Sequence, residues 1–401
     1  MKTIVKTLLS IAFGCGSVMA QGTMAPPENP ATGIWIQQVG DIVPHASTKA
    51  TLYYTKYASY QKDAVKSLQY YYDGAGYLQL LQKDTLCGKE DGMKGADGIV
   101  HHPDGDLLVA AQGPNVHKIS KTAKKEGTNG GKCLVKTSTP ATSTEGFWHL
   151  MMDPNQEWLW AAGIPGYLYR FSTKIDSNNI AARNFADKGY RVELVPKSTD
   201  RVQHHKLATL IWDKDGNAFF TYSNYLGGGC ETNANTGNPC SDNQKKSNRA
   251  GAYFGYITDT TWTKVTASNK DSIGGEVNDS VITKLGTTIL IDSLEGAHGG
   301  TYDPYSETIF VFGGSRIVQI RPYKEGGKMK AEVVAFIDLR QYFFQEDLNH
   351  LTLPRTNDGG YVGWRLDQGT VDGMGHLFVA SNTGHLVFVD YAANPDNRRG
   401  V

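Results

Sequence analysis

Residues 210–220 read LIWDKDGNAFF, an apolar run that ends in Asp213, a tight turn through Gly216, and a second apolar run. Short apolar runs bounded by turn residues predict β-strands. The same unit returns at 70–78 (YYYDGAGYL), 99–109 (IVHHPDGDLLV), 150–160 (LMMDPNQEWLW), 301–312 (TYDPYSETIFVF) and 370–379 (TVDGMGHLFV). Self-similarity of this kind is the signature of a repeat architecture. The chain is therefore predicted to be a series of similar β units.

A third short apolar run follows the second in several units, for example at 116–119 and 386–389. Strand, turn, strand, turn, strand is the meander of a propeller blade. The prediction is an all-β fold, a six-bladed β-propeller with seven blades as the alternative, forming a single domain over residues 21–401. A β-sandwich is the competing architecture, but it would not need repeated Asp turns. We expect residues 34–36 to complete the last blade and close the ring.

The long interval between Asp213 and Asp303 has room for another blade or for a large loop excursion. The acidic residues that end the apolar runs are interpreted as structural. They are Asp73, Asp104, Asp153, Asp213, Asp303 and Asp372. A side chain in this position accepts backbone N–H groups in an Asx turn.

The charge balance limits the classes of partner, and residues 1–20 indicate where the protein is located. The chain has 401 residues with 40 basic and 40 acidic side chains, and this balance argues against a nucleic-acid partner. Residues 1–20 combine Lys2 and Lys6 with a short apolar run and a small-residue end at Ala20, which predicts a signal peptide and a secreted protein. The run is too short to cross a bilayer, so no membrane insertion is expected. A lipoprotein attached through Cys15 is the alternative.

Four further cysteines are expected to form disulfides, because an even number is typical of an exported chain. Cys230 and Cys240 bracket a loop rich in Gly, Asn and Thr and are paired, which leaves Cys87 with Cys133 by elimination. Asn278 begins a glycosylation sequon and is the predicted glycosylation site.

Polar residues precede the first strand of each unit, where a propeller has one mouth of its central channel. Seven or eight residues before the acidic turn residue stand Asp97, Glu145, His205 and Glu295. Histidines at 101, 102, 149 and 298 follow inside the first strands. Three interpretations stay open: a metal site, an acid–base pair and a substrate pocket. The structural alternative is that these acids cap turns and that the histidines are satisfied core residues.

Residues 104–110 and 372–380 resemble blades of the gluconolactonase and senescence-marker family and of NHL-type propellers. In the lactonase family, Glu, Asn and Asp hold a divalent metal on the propeller axis. The resemblance implies Glu145 or Glu295, together with Asp367, as ligands, although no matching Asn is found. A metal-dependent hydrolase or lyase is the function that this resemblance implies.

In length, secretion signal and propeller pattern, the chain also resembles secreted propellers of fungal secondary-metabolite pathways. Some of these are hetero-Diels–Alderases that join a quinone methide to a sesquiterpene alkene. The resemblance implies cofactor-free cyclisation of small apolar natural products in an aromatic-lined pocket, where two partners are held in register and hydrogen-bond donors polarise the diene.

The site residues follow from these considerations. We expect catalytic roles for His149, His298, Arg365, Glu145 and Glu295. Substrate-binding roles are expected for Trp148, Trp364, His102, His205 and Asp97. No cofactor is expected for the cyclase, and a divalent metal belongs to the lactonase alternative. A propeller that binds glycans or proteins without catalysis is the third function, and a homodimer stays open.

Overall fold

The computed structural model describes the central parts of the predicted blades. These are residues 31–36, 49–56, 64–73, 77–88, 93, 96–110, 116–120, 136–138, 147–163, 168–173, 190–193, 205–224, 253–258, 263–264, 266–268, 280–281, 287–291, 294, 297–313, 316–338, 366–381 and 386–391. Within these ranges the chain forms strands and turns, as the all-β prediction required. Among these residues, no helix is long and apolar enough to span a membrane.

The described strands form six sheets. The first contains β1 (Ala31–Ile36), β2 (Ala50–Lys56), β3 (Val65–Tyr72) and β4 (Leu78–Cys87). The second contains β5 (Ile99–His101), β6 (Leu107–Ala110), β7 (Val116–Ile119) and β8 (Lys136–Ser138). The third contains β9 (Phe147–Met152), β10 (Trp158–Gly163), β11 (Leu168–Ser172) and β12 (Tyr190–Glu193), extended at its edge by β16 (Thr263–Lys264) and β17 (Ser280–Val281).

The remaining three sheets follow the same outward meander. The fourth contains β13 (His205–Trp212), β14 (Ala218–Asn224), β15 (Tyr253–Ile257) and β18 (Thr287–Ile291). The fifth contains β19 (Gly299–Asp303), β20 (Thr308–Gly313), β21 (Arg316–Glu325) and β22 (Lys328–Asp338). The sixth contains β23 (Leu366–Val371), β24 (His376–Ser381) and β25 (Leu386–Asp390).

The first strands of the sheets make a closed ring. β1 contacts β5, β5 contacts β9, β9 contacts β13, β13 contacts β19, β19 contacts β23, and β23 contacts β1. A closed ring of antiparallel meanders with inner first strands is a β-propeller, which confirms the predicted fold class. The described residues show six such sheets, and the blade number of the complete chain stays a prediction.

Apolar side chains fill the spaces between neighbouring sheets. Phe147, Leu150 and Phe171 of the third sheet pack with Val100 and Leu108 of the second. Burying one such side chain contributes about 1.5–3 kcal/mol, so these layers carry much of the stability. Each blade therefore depends on its neighbours for a core, as expected for a repeat protein.

The acidic turn residues act as predicted. Asp213 Oδ1 accepts the N–H groups of Asp215 at 3.0 Å and Asn217 at 2.8 Å. Asp372 Oδ1 accepts the N–H of Met374 at 2.8 Å. Gly216 has a φ of +77°, a conformation that an L side chain rarely adopts. We call the turns between first and second strands the anchor turns.

Two details of the predicted repeat are wrong. In the second sheet, Asp104 Oδ1 accepts the N–H of Asp106 at 3.0 Å, as predicted for an Asx turn. The anchor position itself belongs to His102, because the N–H of His102 donates to Asp106 O just as the N–H of Asp213 donates to Asn217 O. The unit around Asp73 connects β3 to β4 instead of a first strand to a second. Both errors arise because similar Asp and Gly turns serve different connections.

The predicted role of the N-terminal strand is also wrong. β1 pairs antiparallel with β2 and is the first strand of its own sheet, so it does not complete the last blade. In the interval between Asp213 and Asp303, the described strands complete the fourth sheet, while β16 and β17 extend the third.

Candidate functional site

Three side chains from different blades meet where the first strands of the propeller begin. His149 lies on β9, His298 directly precedes β19, and Asp367 lies on β23. One nitrogen from each histidine and one carboxylate oxygen all lie within 4.8 Å of one another. We call these three residues the channel cluster, because first strands line the central channel of a propeller.

Local irregularities of the first strands aim the side chains of this region. β9, β13 and β23 each carry one extra residue relative to the second strand, at Trp148, at Ala208, and between Leu366 and Gly369. A β-bulge of this kind re-aims side chains and is frequent next to active sites. The bulge on β23 contains Asp367 itself.

His149 is held from two sides. Its Nδ1 lies 2.7 Å from the backbone oxygen of Ala208, and its Nε2 lies 2.7 Å from Asp367 Oδ1. The residue is 1 % exposed, so neither contact is replaced by bulk water.

His298 is held mainly through its backbone. Its N–H donates to Phe312 O at 2.9 Å, and its carbonyl accepts the Thr221 hydroxyl at 3.3 Å. Its ring meets that of His149 edge to face at 4.7 Å, and its Nε2 lies 3.3 Å from Asp367 Oδ1. The side chain is 20 % exposed. His298 is thus the more accessible of the two histidines.

The two contacts of His149 determine whether a proton or a cation is needed between its Nε2 and Asp367. A carbonyl oxygen only accepts hydrogen bonds, so Nδ1 carries the proton that points to Ala208. A neutral imidazole has no second N–H, so its Nε2 would direct a lone pair at the carboxylate from 2.7 Å. That arrangement is repulsive. A second proton on His149 or a cation shared by Nε2 and Asp367 removes the repulsion.

Asp367 is negatively charged in this setting. Burial alone would raise the pKa of its carboxyl, but the charge of His298 and the hydrogen bonds from both histidines outweigh burial and hold that pKa well below its usual value. The cluster therefore presents a carboxylate next to two histidine side chains at neutral pH.

This donor set has two chemical uses. Two imidazoles and one carboxylate are a common ligand set for divalent transition metals, and three protein ligands leave positions open for water or substrate. Without a metal, an imidazolium–carboxylate pair supplies a proton donor next to a fixed negative charge. Hard Ca²⁺ prefers oxygen ligands, so two imidazoles disfavour it.

The structure brings together only part of the predicted site. His149 and His298 are in the channel cluster, and half-buried Trp148 is next to His149 in the chain. Asp97 is buried two residues before β5, the first strand of its own sheet. His102 lies at the other end of β5, in an anchor turn, where its Nε2 contacts Thr173 O at 2.9 Å.

Other predicted residues lie outside the described residues. They are Glu145, Glu295, Trp364, Arg365, Asn278, Cys133, Cys230 and Cys240, together with the side chain of His205. Cys87 is buried at the end of β4 and is disulfide-bonded, and its pairing with Cys133 stays a prediction.

Sequence reasoning named Asp367 only as a ligand implied by the lactonase resemblance, and it missed the role of the Ala208 carbonyl. A signal for Asp367 was present: Asp97, His298 and Asp367 all stand five residues before the anchor position of their blade, and His149 stands four before. Counting from His102 instead of Asp104 in the second blade makes this spacing visible.

Comparison with known proteins assigns the chain to no family. No protein-family model matches the chain, and no curated protein matches it. Among solved structures, the chain is similar to the holo form of the PQQ domain of pyranose dehydrogenase from Coprinopsis cinerea, with a TM-score of 0.45, 10 % identity, and 91 % of this chain and 97 % of that chain covered.

A calcium structure of a carbohydrate-active enzyme of family AA12 from Trichoderma reesei gives a TM-score of 0.43 at 12 % identity, covering 92 % of this chain and 98 % of that chain. The β-propeller domain of Cps50 (Swd1) from Myceliophteria thermophila gives 0.41 at 10 % identity, covering 92 % and 99 %. At these TM-scores the likeness carries no argument about this chain, and the propeller rests on its own ring of strands.

Proposed function

We propose that this propeller is an enzyme whose reaction centre is the channel cluster, and that His149, His298 and Asp367 hold one divalent transition-metal ion there for hydrolase or lyase chemistry. The observation that carries the proposal is the pair of contacts of His149: Nδ1 is committed to Ala208 O, and Nε2 faces a carboxylate at 2.7 Å. A backbone carbonyl that orients the far nitrogen of a metal-binding histidine is a common outer-shell arrangement.

The exposure of the cluster fits a catalytic centre better than a purely structural one. His149 is buried, but the side chains of His298 and Asp367 keep 20 % and 14 % of their surface exposed. A metal held by three protein ligands with solvent access lowers the pKa of a bound water and polarises a carbonyl oxygen. Hydrolysis of an ester or lactone, or elimination next to a carbonyl, uses these properties.

The expected cofactor-free cyclisation stays a prediction without a specific observation in its favour. Two of its expected residues, Trp364 and Arg365, lie outside the described residues. Trp148 is half-buried beside His149 and is compatible with either function.

The proposal is tested by metal titration of the chelator-treated full chain. We expect one site for Zn²⁺ or Co²⁺ by calorimetry, and an affinity loss of at least about 100-fold in Asp367→Asn and His298→Gln, since removing a ligand costs more than the 10–100-fold of an outer-shell change. Asp215→Asn, an exposed anchor-turn carboxylate, is the matched control and should bind like the wild type.

Equal binding by Asp367→Asn and Asp215→Asn would contradict the proposal. If wild-type protein binds neither ion, the pair of His149 and Asp367 is an imidazolium–carboxylate pair, and metal-free chemistry such as the cyclisation gains support. Turnover of a substrate at full rate after chelation would favour that outcome as well.

A further inference from the structure

Phe312 packs next to the backbone segments that carry His298 and Asp367. It is fully buried on β20, in the same apolar cluster as Leu366, the residue before Asp367. Its backbone oxygen accepts the N–H of His298 at 2.9 Å. One residue thus supports His298 through its backbone and the start of β23 through its side chain.

Two glycines make room for the Phe312 ring. A β-carbon on Gly299, at the start of β19, would lie 2.6 Å from Cε2 of that ring, and a β-carbon on Gly369, on β23, would lie 2.6 Å from Cζ. Both distances are too short for real contacts, so the ring is packed directly against two backbones. The ring therefore packs against both β19, which His298 directly precedes, and β23, which carries Asp367.

Gly299 also allows β19 and β23 to approach each other closely. A β-carbon on Gly299 would overlap with the backbone oxygen of Asp367. His298 is the residue before Gly299, and its Nε2 lies 3.3 Å from Asp367 Oδ1. This close backbone approach therefore lies directly beside the pair of His298 and Asp367.

We infer that Phe312 is a positioning residue that sets the distance between His298 and Asp367, an inference that rests on the proposed function for its consequence. Binding sites need their ligands within about 0.5 Å of the productive geometry. A metal with bonds of about 2.0–2.2 Å needs both ligand atoms near their observed separation. A side chain of another shape at this position lets β19 and β23 shift against each other.

The chain offers a matched control on the same strand. Phe310 precedes Phe312 by two residues, is 4 % exposed, and belongs to the same apolar cluster. Its ring contacts Tyr391 at 4.9 Å, next to the last described strand. Phe310→Leu therefore removes equivalent apolar volume from the core without touching Gly299 or Gly369.

The test is crystallography of the metal-free wild type, Phe312→Leu and Phe310→Leu. We expect the distance between His298 Nε2 and Asp367 Oδ1 to change by at least about 0.5 Å in Phe312→Leu and to stay unchanged in Phe310→Leu. Titration with Co²⁺ should show at least about a 10-fold weaker affinity in Phe312→Leu only.

An unchanged distance in Phe312→Leu overturns the inference, and so does an equal change in both variants, since that would be a general response of the core. Absence of Co²⁺ binding by the wild type defeats the proposed function, while the crystallographic distance still decides the positioning role. If Phe312→Leu does not fold, Phe312→Met conserves more of the volume, and the same distance decides.

Discussion

At the level of single residues, His117 is a buried histidine that the channel cluster does not use. It lies on β7, is 4 % exposed, and its Nδ1 has no hydrogen-bond partner among the described residues. Burial lowers the pKa of its imidazole from 6.5 to about 4. The folded chain therefore keeps this side chain neutral where the unfolded chain protonates it.

This difference predicts an acid-sensitive stability. Between pH 6.5 and about 4 the unfolded state binds more protons at His117, so the free energy of unfolding falls as the pH is lowered. A pKa difference of this size corresponds to at most about 3.4 kcal/mol of unfolding free energy. In His117→Leu, urea unfolding at several pH values should show a flatter pH dependence in this window. The same slope in the variant and the wild type would refute this role.

At the level of elements, the turns were predictable, whereas the site was predictable only in part. The Asp213 and Asp372 turns depend on contacts within four residues, which a sequence displays directly. The meeting of His149, His298 and Asp367 depends on one extra residue in each of β9 and β23 and on strand register across the ring. Nothing local marks a bulge, so counting along the chain named His149 and His298 but did not place Asp367 beside them. Glu145 and Glu295 lie outside the described residues and stay predictions.

A second feature at the level of elements is the close approach of two strands at a glycine. Gly98 directly precedes β5, and its N–H donates to Trp148 O at 2.6 Å. A β-carbon there would lie 2.7 Å from that oxygen and 2.8 Å from the Cα of His149. Gly98 thus sets the distance between β5 and the strand that carries His149.

Gly98→Ala is expected to lower the free energy of unfolding by about 2–3 kcal/mol, because two backbones must separate. Gly327→Ala, in the hairpin between β21 and β22, has open space around the new methyl group and changes only a backbone with a φ of +76°. Its expected cost is about 1 kcal/mol. Urea unfolding compares the two, and an equal or smaller loss in Gly98→Ala would rule out the close-approach argument.

At the level of the whole molecule, the ring closes by side-chain contacts between the first and last sheets. The Tyr72 hydroxyl on β3 donates to Asp372 Oδ2 at 2.9 Å, and the Tyr72 ring stacks on His376 at 4.2 Å. Residues of β2 and β3 share an apolar cluster with residues of β24 and β25. The ring therefore closes without the N-terminal strand joining the last sheet. The sequence pattern had suggested that this strand would join it.

Tyr72→Phe keeps the ring stacking and removes the hydroxyl that reaches Asp372. Because the Asp372 side chain is fully buried, losing a donor should cost about 1.5–3 kcal/mol of unfolding free energy. Tyr323→Phe, at an exposed position of the β21–β22 hairpin, is the control and should change stability little. Equal stability of both variants would show that this hydrogen bond does not hold the first and last blades together.

Anomalous diffraction from crystals grown with Co²⁺ or Zn²⁺ shows directly whether the channel cluster binds a metal ion. We expect one peak bonded to Nε2 of His149, Nε2 of His298 and a carboxylate oxygen of Asp367, at about 2.0–2.2 Å from each. A channel with no peak there, and with His149 Nε2 still in hydrogen-bond contact with Asp367, would contradict this expectation.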